Sequence, residues 1–424
     1  MAKLLITNIG LLATPLGKSA RAGAAQGEVL KLENAWILTE DGLITEVGTG
    51  APPDGEPGRR FETVDAGGRL VTPGLVDAHT HLVFGGYRQH ELADKLRGVT
   101  YLEILAAGGG ILSTVKATRA ATEGQLTAKA LEALKEMLSF GVTLCEAKSG
   151  YGLSAEEELK QLRVTRTLNA AQPVELVSTF LGAHAVPPEY KGRQEEYVRL
   201  VCEEMIPAVA GDGLAEYCDV FCESGVFSVE ESRLILEEGL KYGLKPKIHA
   251  DEIDALGGAR LAGELGAVSA EHLIRISDEG IKSMAAGGTI ACLLPGTSFY
   301  LGADYAPARR FIEAGVPVAL ATDYNPGSCP SLNLQFVMNL GCLKDKMTPE
   351  EVLTAVTLNG AAAIGRAETH GSIEAGKKAD LLVWDAADLD YICYRFGSSL
   401  VRTVIKCGRN TNYINQRSLS DDRP

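Results

Sequence analysis

The chain has no surplus of positive charge. Its 424 residues include 41 Lys and Arg against 55 Asp and Glu, a formal net charge of −14. Nucleic acids and anionic membrane surfaces are bound through basic faces, so neither is expected as a partner. No apolar run approaches the ~18 residues that a bilayer-spanning helix needs. The opening MAKLLITNIGLLATPLG alternates and breaks early, which reads as a strand rather than a secretory leader. No Cys-x-x-Cys occurs, and the nine cysteines are odd in number and scattered from Cys145 to Cys407. That pattern argues against a zinc ribbon or a disulfide framework and points to reduced, buried thiols in a cytoplasm. Internal repeats and low-complexity tracts are also lacking.

What is present is ordinary globular composition, 46% hydrophobic and 23% charged, with 47 glycines to serve tight strand-to-helix loops. The length suffices for one large domain and a smaller one. Strand-like blocks fall at 141–147, 174–183, 216–222, 245–250, 267–271, 288–294 and 317–322, and one more precedes His79. Helical spacing fills 155–170, 190–210, 228–242, 304–314 and 348–365. Eight strands alternating with helices predict an α/β fold, a (β/α)8 TIM-type barrel, over 71–371. A doubly wound open sheet would show the same alternation. The barrel is preferred because His79, His81, Lys148, His184, Glu223, His249, His272 and Asp323 all sit at strand C-terminal ends, where a barrel gathers its site at one mouth. Residues 1–70 and 372–410 hold further short strands and are expected to pair into one small β-sandwich domain built from both chain ends. Residues 49–60 read as a polar loop and 411–424 as a tail.

The stretch VDAHTHL places His79 and His81 one residue apart after an apolar run. Alternate side chains of an extended strand face one way, so both rings can address one ion. His249 in KIHADE and Asp323 in LATDYN end two other strands. Alone, His249 reads as a satisfied core histidine and Asp323 as a helix N-cap. Together, three imidazoles and a carboxylate suit one divalent ion, Zn2+ or Fe2+/Fe3+, with a position open for water. Glu252 is positioned to move a proton between water and a leaving nitrogen, and His272 to orient the water or steady an oxyanion; an exposed helix-start glutamate and a structural histidine are the plainer alternatives. Arg88 suits a substrate carboxylate, unless it is a solvated surface residue. Lys148 suits either a carboxylated bridge between two metals or a plain pairing with an acid; no pattern calls for a second metal, so it reads as structural, and His90 and His370 read as surface residues.

These residues resemble the amidohydrolase superfamily: TPGLVDAHTHL, the histidines of strands five and six, the strand-eight aspartate, and GSIEAGKKADLLVWD where the chain re-enters a small β-domain. Within it, HTHLVFGGYR, GGGILSTV, AKSGYGLS, FLGAHAVPPEY, KIHADEI and TDYNPGSCPS are similar to the imidazolonepropionases. The resemblance implies hydrolysis of 4-imidazolone-5-propanoate to N-formimidoyl-L-glutamate, the third step of L-histidine degradation. It implies one zinc or iron ion on His79, His81, His249 and Asp323. It also implies substrate contacts from Arg88, Tyr151, His184 and Glu252, a substrate-facing loop with Asn325, Gly327 and Ser328, and a cytoplasmic homodimer. Tyr87 departs from the family's commonest wording and is expected to narrow the mouth. Without the resemblance, the residues reach only a metal hydrolase acting on a C–N bond. The alternatives are another cyclic amidohydrolase, an aminohydrolase (deaminase) that releases ammonia, or a barrel without catalysis. The last is disfavoured because all four proposed ligands and Glu252 are present.

Overall fold

The computed structural model describes residues 3–53, 61–99 and 109–411, so the tail beyond 411, most of the polar loop 49–60 and the first residue of GGGILSTV lie outside the described residues. Seven strands form a mixed sheet: β1 (Lys3–Thr14), β2 (Leu30–Glu40), β3 (Leu43–Thr49), β4 (Glu62–Pro73), β13 (Leu381–Trp384), β14 (Val401–Lys406) and β15 (Arg409–Asn410). Eight form a parallel sheet in sequential order: β5 (Leu75–Asp77), β6 (Val142–Lys148), β7 (Glu175–Ala183), β8 (Tyr217–Cys222), β9 (Lys245–Ala250), β10 (Ser269–His272), β11 (Ile290–Leu293) and β12 (Val318–Leu320).

The eight-stranded sheet closes on itself just past the ends of its first and last strands. Thr80 pairs in parallel with Tyr324. Asp323 N donates to His79 O (3.0 Å), and His81 N donates to Tyr324 O (2.9 Å). The barrel expected from the alternation is therefore present. Its strands are buried on both faces, as in β6 from Val142 to Lys148, which is why they read as apolar runs rather than alternating ones. The bottom of the lumen is apolar, with Val76, Leu144, Val177, Tyr217, Ile290 and Ala319 in one cluster with Ala361 and Ile364. Two residues further along, Leu144 of β6 gives way to Glu146 and Tyr217 of β8 to Asp219, both buried.

Outer helices begin where the sequence supplies caps. Thr122 and Gln125 form a capping box at the start of Glu123–Ser139, which buries Leu126, Ala130, Leu134 and Met137. The helical pattern over 190–210 resolves into Gln194–Leu200 and Ile206–Gly211, joined by a single π turn at Val201–Met205. Pro207, which has no N–H to give, is the second residue of the helix that follows that turn. No described helix is long and apolar enough to cross a membrane.

The mixed sheet takes strands from both chain ends: β4 runs parallel to β1 on one side and antiparallel to β13 on the other. Leu43, at the start of β3, bridges to Lys378 just before β13, curling the sheet around a core of its own. Leu4, Ile6, Ile37, Val71, Leu381 and Ile405 belong to that core, so this is the small sandwich domain expected of the flanks.

Two outer helices, Gly258–Glu264 and Asp278–Gly287, approach closely through glycine. A Cβ on Gly263 would lie 2.2 Å from the Ser283 backbone. Gly263→Ala is expected to cost about 1–3 kcal/mol through overpacking. A lowered denaturation midpoint with activity retained at low temperature is the expected reading; an unchanged midpoint would contradict this packing.

Candidate metal centre and barrel mouth

Barrel closure brings His79, His81 and Asp323 together. Asp323 Oδ1 lies 3.4 Å from His79 Nε2 and 3.5 Å from His81 Nε2. The His249 ring centroid stands 4.7 Å from that of His79 and 5.5 Å from that of His81. The His272 centroid is 5.3 Å from His249. His79, His81 and Asp323 form one group able to share an ion, and His79, His249 and His272 another. The four expected ligands thus sit together with His272, all buried. Asp323 and His272 hold left-handed backbone, φ +54° and +70°, as does Leu273 at +62°. Non-glycine residues pay for that conformation in strain, which concentrates at functional sites.

The hydrogen bonding bears directly on whether a cation fits. His79 Nδ1 donates to Glu271 Oε2 at 2.9 Å, which leaves a lone pair on Nε2. That lone pair faces Asp323 Oδ1, another acceptor, and both atoms are buried without a hydrogen-bond partner. His249 Nε2 is buried and unpartnered as well. Asp323 is anchored through its other oxygen, which accepts from Thr297 Oγ1 at 2.5 Å. Facing acceptors in a dry site repel unless a cation lies between them. Neutral imidazoles and a carboxylate are the donor set of a divalent metal, so the residues fit one.

Electrostatics point the same way for three of the four rings. Burial, with Lys148 nearby, drives His79 well below the usual histidine range, and burial with His184 does so for His81. Burial lowers His272 to about 4, although Asp323 opposes this. These rings are therefore neutral at pH 7. Burial also works against a charged His249, but Asp219 beside it outweighs burial and raises its pKa. Burial lifts the Glu252 carboxyl to about 7, with His249 opposing. Its Oε1 lies 3.6 Å from His272 Nδ1.

The remaining expected residues line the mouth. His184 stacks on His81 with centroids 4.9 Å apart and planes 13° apart. Its Nδ1 donates to Gly150 O at 3.0 Å, so Nε2 is left as an acceptor. Tyr151 is buried, its ring centroid 5.3 Å from His184 and 5.8 Å from His81. Arg88 lies against Gly327: a Cβ there would fall 1.3 Å from Arg88 Nη2. Arg88 Nε is buried without a hydrogen-bond partner among the described residues. Asn325 spends its side chain inside its own loop. Its Oδ1 accepts from Gly327 N and Ser328 N, both at 2.8 Å, while its Nδ2 donates to Asp323 O at 2.7 Å. The Tyr87 hydroxyl hydrogen-bonds that of Tyr324, bridging the loops after β5 and β12. Lys129 Nζ sits 3.4 Å over the Phe84 ring and 4.0 Å over that of Tyr87.

Lys148 pairs with acids, 2.8 Å from Asp219 and 3.0 Å from Glu146, as the structural reading expects. His90 stays outside the site, 58% exposed. His370 corrects the expectation of a surface residue. It is 3% exposed, with Nε2 3.3 Å from Glu175 and 3.6 Å from Asp380, and Thr369 Oγ1 lies 2.9 Å from its Nδ1. Acids on β7 and beside β13 draw it into the seam between barrel and sandwich, which no local pattern announces.

Several organising residues escaped the sequence reading. Glu223 stands at a strand end in the sequence, where nothing local shows its part. Its carboxylate accepts from the backbone N–H groups of Ser224, Glu252, Ile253 and Asp254 at 2.9–3.2 Å, fixing the loop that carries Glu252. Glu158 does the same for the Tyr151 loop, accepting from Gly150, Gly152 and Leu153. Glu146, Asp219, Lys247 and Glu271 lie in the lumen under the histidines. Charged residues at alternate positions of apolar strands, as in EAK at 146–148 and KIH at 247–249, were the available clue.

Comparison with known proteins assigns the chain to a family. Residues 70–412 match the model of the amidohydrolase family. The chain is 54% identical over 412 residues to the imidazolonepropionase of Alkaliphilus metalliredigens, covering 96% of this chain and 98% of that one. It is 54% identical over 392 residues to that of Shouchella clausii, covering 92% and 88%. Among solved structures, atrazine chlorohydrolase from Arthrobacter aurescens TC1, complexed with zinc, superposes with a TM-score of 0.72 at 17% identity, over 98% of this chain and 99% of that one. The 5-methylcytosine deaminase of Klebsiella pneumoniae gives 0.72 at 18%, over 96% and 97%. At such identities the two structures speak for the fold alone. The family model and the near-full-length relatives go further: the chain belongs to the amidohydrolase family and groups within it with the imidazolonepropionases.

Proposed function

We propose that the chain hydrolyses the ring C–N bond of 4-imidazolone-5-propanoate to give N-formimidoyl-L-glutamate, the third step of L-histidine degradation. Its near-full-length likeness to imidazolonepropionases carries this reading. Water adds to the ring carbonyl carbon, the adjacent C–N bond breaks, and the freed nitrogen takes a proton. The carbonyl becomes a carboxylate and no ammonia leaves. His79, His81, His249 and Asp323 would hold one divalent ion per chain, zinc or iron, which when bound acidifies water and polarises a carbonyl.

The chain's own residues do the rest. Glu252, with a carboxyl titrating close to neutrality, accepts a proton from the attacking water and returns it to the departing nitrogen. His272 stays neutral and offers a hydrogen bond to the carbonyl oxygen. His184 Nε2 accepts from a ring N–H, and the Tyr151 hydroxyl meets a ring heteroatom. Arg88 pairs with the propanoate, which would be costly to bury unpaired. Asn325 holds the loop in which Gly327 and Ser328 face the substrate. The reading includes a cytoplasmic homodimer with a small-molecule substrate and neither a nucleic-acid nor a membrane partner. Its support for a reducing compartment is that all nine cysteines are free.

The test follows substrate absorbance with and without a chelator, against a no-enzyme control because the substrate is labile. Enzyme-dependent loss without ammonia is expected; ammonia release would favour an aminohydrolase instead. Arg88→Lys should raise KM about ten- to a hundredfold, since a charged hydrogen bond contributes roughly 1.5–3 kcal/mol. Gly327→Ala should act in the same direction, because its methyl group occupies the guanidinium position. Metal content should not change in either variant. An unchanged KM in both would remove Arg88 from the carboxylate role.

A further inference from the structure

Directly beneath the histidines, five charged side chains from four strands meet with no solvent exposure: Glu146 and Lys148 on β6, Asp219 on β8, Lys247 on β9 and Glu271 on β10. They form one continuous path. His249 Nδ1 lies 3.0 Å from Asp219 Oδ2, close enough to pair but turned out of hydrogen-bond geometry, and that oxygen lies 2.8 Å from Lys148 Nζ. Lys148 Nζ is 3.0 Å from Glu146 Oε2, and Glu146 Oε1 is 2.8 Å from Lys247 Nζ. Lys247 Nζ is 3.4 Å from Glu271 Oε1, and Glu271 Oε2 accepts from His79 Nδ1 at 2.9 Å. Smaller groups fix the carboxylates further. Thr179 Oγ1 donates to Glu146, Ser269 Oγ to Glu271, and Val220 N to Asp219.

Fold stability does not account for such a layer. Burying five charges costs desolvation that well-packed apolar residues would avoid, often with no loss of stability. The two ends of the path are the informative feature, since both stop on the Nδ1 of a histidine whose Nε2 is buried and unpartnered. A ligating imidazole needs its far nitrogen held by an acceptor, which fixes both tautomer and ring angle. Three carboxylates against two ammonium groups also leave the layer one negative charge, which favours a cation above it.

We propose that this layer is the orienting floor of the metal centre: Asp219 and Glu271 are positioning residues for His249 and His79, and Lys148, Glu146 and Lys247 couple the two rings into one rigid unit. The inference rests on the metal-dependent reading of the site and adds which buried residues set its affinity. Glu146 is the discriminating member, because it touches neither histidine yet joins both halves of the path.

The test uses the full chain, stripped with a chelator and titrated with Zn2+ against a chromophoric competitor, so the readout is Kd rather than turnover. Asp219→Asn and Glu271→Gln should bind Zn2+ about ten- to a hundredfold more weakly, and Glu146→Gln should show a smaller loss in the same direction. Thermal midpoints of the metal-free proteins separate this from a general loss of fold. Wild-type affinity in Asp219→Asn and Glu271→Gln, with folding intact, overturns the proposal and leaves the hydrolase reading standing. If the wild-type chain itself binds no divalent cation, the metal-dependent reading fails first and this inference falls with it. Should the variants not fold, 15N-histidine NMR of the zinc-loaded wild type decides. Protonated, hydrogen-bonded Nδ1 on His79 and His249 supports the floor, and a bare Nδ1 on either ring overturns it.

Discussion

Asp323→Asn is expected to lower kcat by at least about a thousandfold, roughly 4 kcal/mol of transition-state stabilisation, and to strip most of the bound metal. The substitution is nearly isosteric, and asparagine tolerates the φ of +54° at this position better than most residues, so the loop should survive. What disappears is the charge on the oxygen that lies 3.4–3.5 Å from His79 and His81. An amide oxygen is a far weaker partner for a divalent cation than a carboxylate, and the facing lone pairs of His79 and His81 then lack their anionic counterpart. Metal analysis and kcat should fall together while circular dichroism stays unchanged. Full metal content with wild-type kcat would remove Asp323 from the centre and the proposed nucleophile with it. His249→Ala should show the same paired loss, because it removes the lumen-facing Nε2 contributed by the fifth strand.

Glu252→Gln should lower kcat by about 10²–10⁴-fold while metal content stays at the wild-type level. The two variants therefore separate holding the ion from moving the proton. The pH dependence follows from burial, which raises the Glu252 carboxyl to about 7. A carboxyl with a raised pKa is protonated, and useless as a base, below that value. kcat/KM should therefore rise with pH through an apparent pKa at or below about 7 and then level off. A bound dication favours the carboxylate and shifts the limb downward. Glu252→Gln should lose this limb altogether. An identical acid limb in the variant would transfer the proton to another group, and His272, with Nδ1 3.6 Å away, is the nearest candidate.

The placement of Glu252 shows how much was legible before the tertiary structure. Its position three residues after His249 marked it as near the site, and the geometry keeps it there. Its proton affinity was not legible, because that comes from burial, in a loop that the Glu223 carboxylate clamps through backbone N–H groups. Glu223 comes from another strand, and no spacing rule links the two. Tyr151 was readable only through family resemblance, and His184 on its own only as a strand end, since their convergence on His81 depends on the curvature of the barrel.

The sequence by itself determined the alternation of strands and helices, the eight apolar runs, and the identity of the residues at their C-terminal ends. Those features follow from local physics: strand-length apolar runs, helical periodicity, capping boxes, and the turn chemistry of glycine and proline. Only the tertiary structure decided that Asp323 meets His79 and His81, because that contact forms when the first strand pairs with the last across 240-odd residues of chain. It alone decided that His370 is buried, and that five charged residues form a floor under the imidazoles. A charged side chain in an apolar strand is ambiguous until its partners are known, and these partners come from four different strands brought to one level by the stagger of a closed barrel.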